Sequence, residues 1–188
     1  MKFTSAIVIL LIALVFSGFN KGPKEFSRYC STLKTIKMPY ILRCGLDEKD
    51  YEGSNQDKGL EGQLKLPEHI VGKLYPNSSY VVLLNGNPGD DIYPELHTYT
   101  LDGVGIDTLL LGGSCQGWPE SVATSTVIFS EERVITKYDS LWSWSRDSND
   151  HIIFGSDTLS VEITNYTIDS SGKFTSTKLP RSVVARRR

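Results

Sequence analysis

The sequence predicts a mainly β protein, an antiparallel meander curled into a barrel or half-barrel, with one or two short helices near the N-terminus. Three observations support this fold class. Beyond about residue 79, apolar and polar residues alternate in short runs, which is the two-residue period of a β-strand. Gly, Asp, Ser or Asn separates most of these runs, as in tight turns. No interval is long enough for the helix of a parallel crossover, so the strands are expected to pair antiparallel.

The N-terminus is typical of an export signal. Lys2 precedes an unbroken apolar stretch from Ala6 to Phe16. This stretch is well short of the roughly 20 apolar residues that a membrane-spanning helix needs. We therefore expect residues 1–17 to be a signal peptide and the mature chain to have no membrane span. An uncleaved anchor is the alternative.

The remaining length suits one domain of ordinary size, so we assign residues 18–180 to a single β-rich domain and residues 181–188 to a basic, flexible tail. Without Lys2 and the four arginines of the tail, 15 basic residues stand against 22 acidic ones, a net charge of −7. Nucleic-acid binding needs a dense Lys/Arg face, which an acidic domain lacks. We expect an exported protein of the periplasm, cell envelope or extracellular space, with no nucleic-acid partner.

A short amphipathic helix opens the domain. Its apolar residues are spaced by three, four and seven, which places them on one helical face; they are Phe26, Tyr29, Cys30 and Leu33. The helix has to end before Pro39, because the residue that precedes a proline is pushed out of the α region. A strand over residues 40–44 and an exposed acidic loop over residues 45–62 are expected to follow.

The segment between Pro67 and Pro76 predicts a second helix, of two turns, with Ile70 and Leu74 on one side. Gly72 opposes it by about 1 kcal/mol relative to Ala. Beyond this segment we expect strands in the runs SYVVLL, ELHTYTL, GIDTLLL, TSTVIFS, RVITKYD, LWSWS, HIIFG, TLSVEIT and KFTSTKL.

Two stretches of the sequence are nearly identical in pattern, YTLDGVGIDT (residues 99–108) and YTIDSSGKFT (residues 166–175). In each, an Asp precedes a Gly by three places, Asp102 with Gly105 and Asp169 with Gly172. Asp at the first position and Gly at the fourth is the preferred chemistry of a type I turn. We interpret the repeat as two hairpin turns, not as two copies of a functional site.

Export would place the three cysteines in an oxidising compartment, where disulfides persist. Cys30 and Cys44 are fourteen residues apart, and a bridge between them would stabilise the fold by about 3 kcal/mol. Cys115 would then be unpaired, although other pairings through Cys115 remain open.

One motif suggests catalysis. Gly113, Cys115 and Gly117 form Gly-x-Cys-x-Gly directly after a predicted strand, in partial agreement with a nucleophile elbow. The helix that such an elbow needs is missing. A secreted hydrolase with Cys115 as nucleophile and His97 or His151 as base is therefore an alternative hypothesis, against a structural or disulfide role for the cysteine.

The sequence predicts neither a metal site nor a cofactor. The three histidines, His69, His97 and His151, are isolated from one another and from the other metal-ligating residue types at ligand spacing. No glycine-rich phosphate loop is followed by a helix.

An aromatic cluster in KYDSLWSWSR gives the leading binding hypothesis. In a strand, alternate side chains share a face, so four side chains would lie on one side; they are Tyr138, Trp142, Trp144 and Arg146. Trp118 is expected at the rim of this face. Such residues either fill a core or stack on a sugar or an apolar ligand.

The layout of a signal, a short helix and meander strands with D-x-x-G hairpins, over residues 25–178, resembles that of small exported proteins of Gram-negative bacteria that have no assigned activity. This resemblance implies no catalytic residues and no ligand. We therefore predict a non-enzymatic binding or accessory module that holds a small apolar, glycan or protein ligand on its aromatic sheet face. A purely structural envelope protein is the other alternative to the hydrolase.

Overall fold

The computed structural model describes residues 22–46, 50, 59, 62, 64–67, 69–75, 77, 79–87, 92–113 and 115–185. The predicted signal peptide and most of the predicted acidic loop lie outside these residues. The elements within them are one helix, α1 (Gly22–Thr32), and the strands β1 (Tyr40–Arg43), β2 (Ile70–Leu74), β3 (Tyr80–Asn87), β4 (Tyr93–Thr100), β5 (Gly105–Leu110), β6 (Gln116–Trp118), β7 (Ser121–Phe129), β8 (Val134–Ser143), β9 (Thr158–Ile168), β10 (Phe174–Lys178) and β11 (Ser182–Ala185).

The strands form two antiparallel sheets, which confirms the mainly β, antiparallel prediction. The smaller sheet has the order β2-β3-β4-β5. The larger sheet has seven strands in the order β1-β7-β8-β9-β10, with β6 also paired to β7 and β11 also paired to β9. The described strands do not close into a barrel, so that part of the prediction is not confirmed. Instead, the apolar faces of the two sheets pack against each other.

The main core lies between the two sheets. The smaller sheet contributes alternate residues of its central strand, Tyr80, Val82 and Leu84, whose side chains are buried. The larger sheet contributes Phe129 of β7 and Ile135 of β8, which are opposite each other across the two strands. Because β-strand side chains alternate between faces, only every second residue of β7 and β8 reaches this core.

A second core covers the other face of the smaller sheet. Helix α1 packs there through Phe26, Tyr29, Cys30 and Leu33, all of which are buried. The predicted helix and its buried face are therefore confirmed, and the helix ends before Pro39 as expected. The chain thus has three layers, which are the helix, the four-stranded sheet and the seven-stranded sheet.

The predicted helix over residues 67–76 is wrong, because residues 70–74 form strand β2. Ile70, Val71 and Leu74 are all buried, and β2 pairs with β3 through a register shift between Ile70 and Gly72. The shift places Ile70 in the core beneath α1 and Leu74 in the core between the sheets, so the two side chains lie on opposite faces of β2 and not on one helical face. Gly72 is required here, because a Cβ at this position would lie 2.7 Å from the carbonyl oxygen of Lys34.

The near-repeat does form two hairpin turns. In the second copy, the N–H of Gly172 donates to the carbonyl oxygen of Asp169 at 3.1 Å, and Gly172 has a φ of +86°. In the first copy, the turn begins two residues before its predicted position. Gly103, with a φ of +84°, donates to the carbonyl oxygen of Thr100 at 3.0 Å, and Gly105 instead begins β5. The turn prediction is thus confirmed for Asp169 and corrected for Asp102.

The second of these hairpins also joins the two sheets. The hydroxyl of Thr98 on β4 donates to the carbonyl oxygen of Gly172 at 2.7 Å. The backbone N–H of Phe174 donates to the Asp107 carboxylate on β5 at 2.9 Å. The two copies of the repeat therefore meet in space, one on each sheet.

Two further predictions are corrected at the C-terminal end. Residues 182–185, which were assigned to the flexible tail, form β11 and pair with Thr158–Val161 of β9. The run HIIFG does not form a strand. Ile152 makes an isolated antiparallel β-bridge with Arg146. These residues belong to the connection between β8 and β9.

Candidate functional site

The seven-stranded sheet has two faces of different chemistry, which we call the inner face and the outer face. The inner face carries the side chains that point in the same direction as Phe129 and Ile135, toward the smaller sheet. The outer face carries the intervening side chains. The charged residues within β7, β8 and β9 all lie on the inner face; they are Lys137, Asp139 and Glu162.

The inner face is covered by the core at one end only. Along β7, the residues Phe129, Val127 and Ser125 are buried, whereas Ala123 and Ser121 are partly exposed. The strands of the larger sheet continue beyond the edge of the smaller sheet, because β7, β8 and β9 are each at least nine residues long. The uncovered end forms an open cavity, which we call the groove.

The groove has a volume of about 670 Å³. Its lining combines one indole, small apolar side chains, hydroxyls and charged groups. The lining residues are Gly113, Trp118, Ser121, Ala123, Thr124, Ser125, Lys137, Asp139, Ser140, Leu141, Ser160, Glu162 and Arg181. A cavity of this size and mixed chemistry is typical of sites for small molecules.

Ion pairs occupy the centre of the groove. Lys137 Nζ lies 2.9 Å from Asp139 Oδ2, and the Lys137 side chain is largely buried. Asp139 and Glu162 are cross-strand partners. The hydrogen bond from Lys178 Nζ to Glu162, at 2.7 Å, lowers the pKa of the Glu162 carboxyl and raises the pKa of Lys178. Each of these carboxylates is therefore close to a cation.

Ser125 contributes a buried hydroxyl that has no hydrogen-bond partner among the described residues. The residue is 4% exposed and lines the groove. Its backbone carbonyl accepts a hydrogen bond from the N–H of Cys44 at 2.9 Å, which holds it in place. A Cβ at Gly113 would overlap the Ser125 hydroxyl, so glycine is required there. An unpaired buried hydroxyl of this kind costs free energy.

The indole of Trp118 lies at the mouth of the groove and is 48% exposed. It belongs to β6, which forms a tight hairpin with β7. The carbonyl oxygen of Pro119 in this hairpin accepts hydrogen bonds from Trp144 Nε1 at 3.0 Å and from Arg146 at 2.7 Å. Trp144 and Arg146 are thus positioning residues for the hairpin that carries Trp118.

The predicted aromatic cluster is therefore divided in the structure. Tyr138 and Trp142 lie on the outer face, as the strand alternation predicted, and Trp142 is 41% exposed. Trp144 and Arg146 follow the end of β8 and contact the Pro119 turn. Trp118 borders the groove on the opposite side of the sheet from Trp142. The alternative that Trp142 fills a core is wrong, because it is not buried.

Sequence reasoning assigned no role to Asp139 or Leu141. It also missed Ser125, Lys137 and Glu162. One signal in the sequence could have indicated the site. Lys137 and Asp139 are two residues apart in one strand, and this spacing places both charges on the same face. Their convergence with Glu162 depends on the pairing of β8 with β9, which the local sequence does not specify.

The disulfide differs from the predicted one. Cys44 is bonded to Cys115, with a Cα–Cα distance of 4.9 Å, and Cys30 is free and buried in the core beneath α1. The expected Cys30–Cys44 pairing is corrected, because the helix directs Cys30 toward β2 and β3. Burial raises the pKa of the Cys30 thiol to about 11. A buried thiol of this kind is unreactive near neutral pH.

The hydrolase alternative loses its nucleophile, since a sulfur in a disulfide cannot form a thiolate. His97 lies elsewhere, on β4, with Nε2 3.0 Å from the Glu95 carboxylate and Nδ1 3.2 Å from the Thr108 hydroxyl. His151 is exposed and lies 3.7 Å from Asp147. Both imidazoles thus have neighbours that sequence reasoning did not anticipate.

The described part of the chain contains no group of three or more His, Cys, Asp or Glu side chains arranged to hold a metal ion. Within the same residues, no helix has both the length and the apolar character required to cross a membrane.

No family model matches the sequence, and no curated protein or solved structure matches it. The functional argument therefore depends on the geometry of the groove and of the outer face.

Proposed function

We propose that the chain is a non-enzymatic binding module that holds a saccharide in the groove. The observation that carries this proposal is the exposed indole of Trp118 beside a cavity lined with paired carboxylates and hydroxyls. A sugar ring presents C–H groups on its faces, which stack on an indole, and hydroxyls at its edge. Carboxylates accept hydrogen bonds from those hydroxyls, and serine hydroxyls both donate and accept them.

The charges in the groove favour a hydroxyl-rich ligand over an apolar molecule. Lys137 is close to Asp139, and Lys178 is close to Glu162, so these four charges cancel. Arg181, which also lines the groove, adds one positive charge, and its side chain donates to the Ser160 hydroxyl. An apolar ligand would remove water from the ion pairs without replacing its hydrogen bonds, which is costly. A saccharide replaces those hydrogen bonds with its own.

Binding rather than cleavage is favoured by the state of the two neighbouring carboxylates. Glycoside hydrolysis needs one carboxyl group with a raised pKa to act as general acid. Lys178 instead lowers the pKa of Glu162. Both Asp139 and Glu162 also project from one sheet face, so they do not flank a bond from two sides. These observations support a binding role for the pair.

The proposed function also includes export of the protein. A disulfide such as Cys44–Cys115 persists in oxidising compartments, so we place the protein in the periplasm, the envelope or the extracellular space. There the groove would meet free or surface-linked glycans. Loss of the Cys44–Cys115 bond on expression in a reducing cytoplasm, and its presence in exported material, would support this location.

The test compares two tryptophans of similar exposure on opposite faces of one sheet. Wild type, Trp118→Ala and Trp142→Ala are applied to a panel of immobilised neutral oligosaccharides, and hits are measured by calorimetry with the soluble sugar. We expect Trp118→Ala to weaken binding by about 30-fold or more, as for a Trp hot spot. We expect Trp142→Ala to bind the soluble sugar in calorimetry as wild type does. No binding to the panel, or an equal loss of calorimetric affinity in both variants, would contradict the proposal.

A further inference from the structure

The outer face of the seven-stranded sheet carries one charged residue, Arg43 on the edge strand β1, and no charge on its three long strands. Every outward-facing position of β7, β8 and β9 is occupied by an apolar or neutral polar residue. No outward-facing side chain of these strands is buried, and none is covered by another described element. Trp142 and its strand neighbour Val122 are both at least one-third exposed, and Val184 of β11 extends the apolar surface.

Apolar and aromatic residues occupy eight of the fourteen outward-facing positions of β7, β8 and β9, and Thr, Ser or Asn occupies the other six. Val122, Trp142 and Leu159 are aligned across three strands, and Tyr138 and Ile163 are aligned farther along the same strands. β-Branched and aromatic cross-strand neighbours of this kind are typical of the packed interiors of β-sandwiches. Solvent-facing sheet surfaces are normally polar and carry charges.

The size of the face fits a protein interface. The seven strands lie in five rows, because β1 and β6 both pair with β7, and β10 and β11 both pair with β9. Five rows spaced by about 4.8 Å, of about nine residues at about 3.3 Å, give a surface of roughly 700 Å². A standard protein interface takes about 800 Å² from each partner. The outer face alone therefore supplies close to the area that a stable dimer needs.

We propose that the outer face is the interface between two copies of this chain. A two-fold dimer requires a patch that is complementary to itself. Charges hinder this, because like charges are brought together, and β7, β8 and β9 present none on this face. The same lack of charge gives a foreign partner no electrostatic feature to select. Two such sheets would stack face to face at about 10 Å, as in a sandwich.

The dimer leaves both grooves open, because each groove lies on the inner face of its own sheet. Two saccharide sites would then point away from the interface. Ligands repeated on one surface would bind with avidity, whereas a single soluble sugar would not. This consequence depends on the proposed saccharide function, but the dimer itself does not.

The experiment measures the molar mass of the purified chain by sedimentation equilibrium over a wide concentration range. We expect wild type to be a dimer that dissociates on dilution. Val122→Lys places a charge within the interface at a position that is 36% exposed, so we expect it to be a monomer, with the melting temperature that wild type has at a dilution at which wild type is also a monomer. Leu110→Lys is the matched control, on the 53% exposed side chain of β5 in the other sheet, and should remain a dimer.

Several outcomes would overturn the dimer. Wild type that is a monomer at all concentrations would mean that another part of the chain, or a different protein, covers the face. A Val122→Lys variant that remains a dimer, or a Leu110→Lys variant that dissociates equally, would place the contact elsewhere. Trp118→Ala distinguishes this inference from the proposed function, since it should lose saccharide binding and remain a dimer.

Discussion

The two sheets differ in how their faces are covered. The four-stranded sheet has α1 on one face and the larger sheet on the other, so β3 is buried from Tyr80 to Gly86 except at Val81. The seven-stranded sheet is covered over one end of one face, and its remaining surface is the groove and the outer face. The smaller sheet thus contributes mainly to stability, and the larger sheet presents the surfaces available for binding.

The strand sequences account for this difference. β2 and β3, IVGKL and YVVLLNGN, are nearly continuous apolar runs, as expected for strands that are buried on both faces. In β8 and β9, by contrast, the charged side chains Lys137, Asp139 and Glu162 all lie on the inner face, and Tyr138 and Trp142 lie on the outer face. The four predictions that follow test this division, beginning with the largest expected effect.

Replacement of a phenylalanine by alanine should give the largest difference in stability between the two regions. Phe26 is 1% exposed between α1 and the smaller sheet and contacts Tyr99 at a ring distance of 5.4 Å. We expect Phe26→Ala to lower the free energy of unfolding by about 3 to 5 kcal/mol. Phe154, in the connection between β8 and β9, is 81% exposed, and Phe154→Ala should cost less than about 0.5 kcal/mol.

Urea denaturation followed by circular dichroism measures both variants. The three tryptophans all belong to the larger sheet or its β8–β9 connection, so fluorescence reports on that region alone. Coincident transitions by the two methods would indicate one cooperative unit. Equal losses for the two phenylalanine variants would contradict the assignment of stability to the helix and the smaller sheet.

Loss of the disulfide is expected to have the next largest effect. The Cys44–Cys115 bond joins residues 71 apart in sequence, next to the groove. Because a cross-link restricts the unfolded chain, the Cys44→Ser/Cys115→Ser variant should lose about 2 to 4 kcal/mol of unfolding free energy. A reducing agent should destabilise wild type by a similar amount and leave the double variant unaffected. A double variant as stable as wild type would contradict the pairing.

Two glycines, one on each sheet, are expected to show a smaller difference in stability when replaced by alanine. Gly72 on β2 has backbone and side-chain atoms of residues 34 and 36 within 3.1 Å of the place where a Cβ would lie. Gly117 on β6 has no atom within 4 Å of the corresponding place. We expect Gly72→Ala to cost about 1 to 3 kcal/mol, as in overpacked cores, and Gly117→Ala to be near neutral. Thermal melting of both variants checks this, and an equally tolerated Gly72→Ala would be evidence against the close approach.

The parts of the fold that the sequence predicted are those specified by local pattern. Helix α1 was predicted because its apolar residues repeat at helical spacing, and β3 to β5 were predicted because a turn residue ends each run. β2 was assigned incorrectly because it is buried on both faces, so its apolar residues lack the two-residue alternation that marks a strand. Only the pairing with β3 and the contact with residue 34 distinguish such a strand from a buried helix.

The binding surfaces were predicted less well, because they depend on long-range pairing. The alternation in β8 predicted that Tyr138 and Trp142 lie on one face, and in the structure both lie on the outer face. Nothing local showed which face meets the core, or that Glu162 lies beside Asp139. The disulfide was also predicted incorrectly, because nearness in sequence favoured Cys30. Strand β1 instead pairs with β7, and this pairing brings Cys44 close to Cys115.

The smallest expected effect concerns the turn that joins the two sheets. The carboxylate of Asp169 accepts hydrogen bonds from the hydroxyl of Ser171 at 2.7 Å and from the backbone N–H of Lys173 at 3.0 Å. These bonds hold the pKa of Asp169 below its ordinary value. A lowered folded-state pKa means that the stabilisation is fully present above the unfolded value of about 3.9 and is lost as the pH falls through the folded value.

Asp169→Asn keeps an oxygen acceptor in the turn and removes the charge. At pH 7 we expect a slightly lower melting temperature than in wild type, because an uncharged acceptor makes weaker hydrogen bonds. Below about pH 4 the difference should shrink, because wild type loses its charge as well. Melting curves from pH 7 to pH 2.5 measure this, and Asp102→Asn is the control, since that residue does not occupy the first position of its turn. A constant difference at every pH would mean that the charge of Asp169 does not support the joint between the sheets.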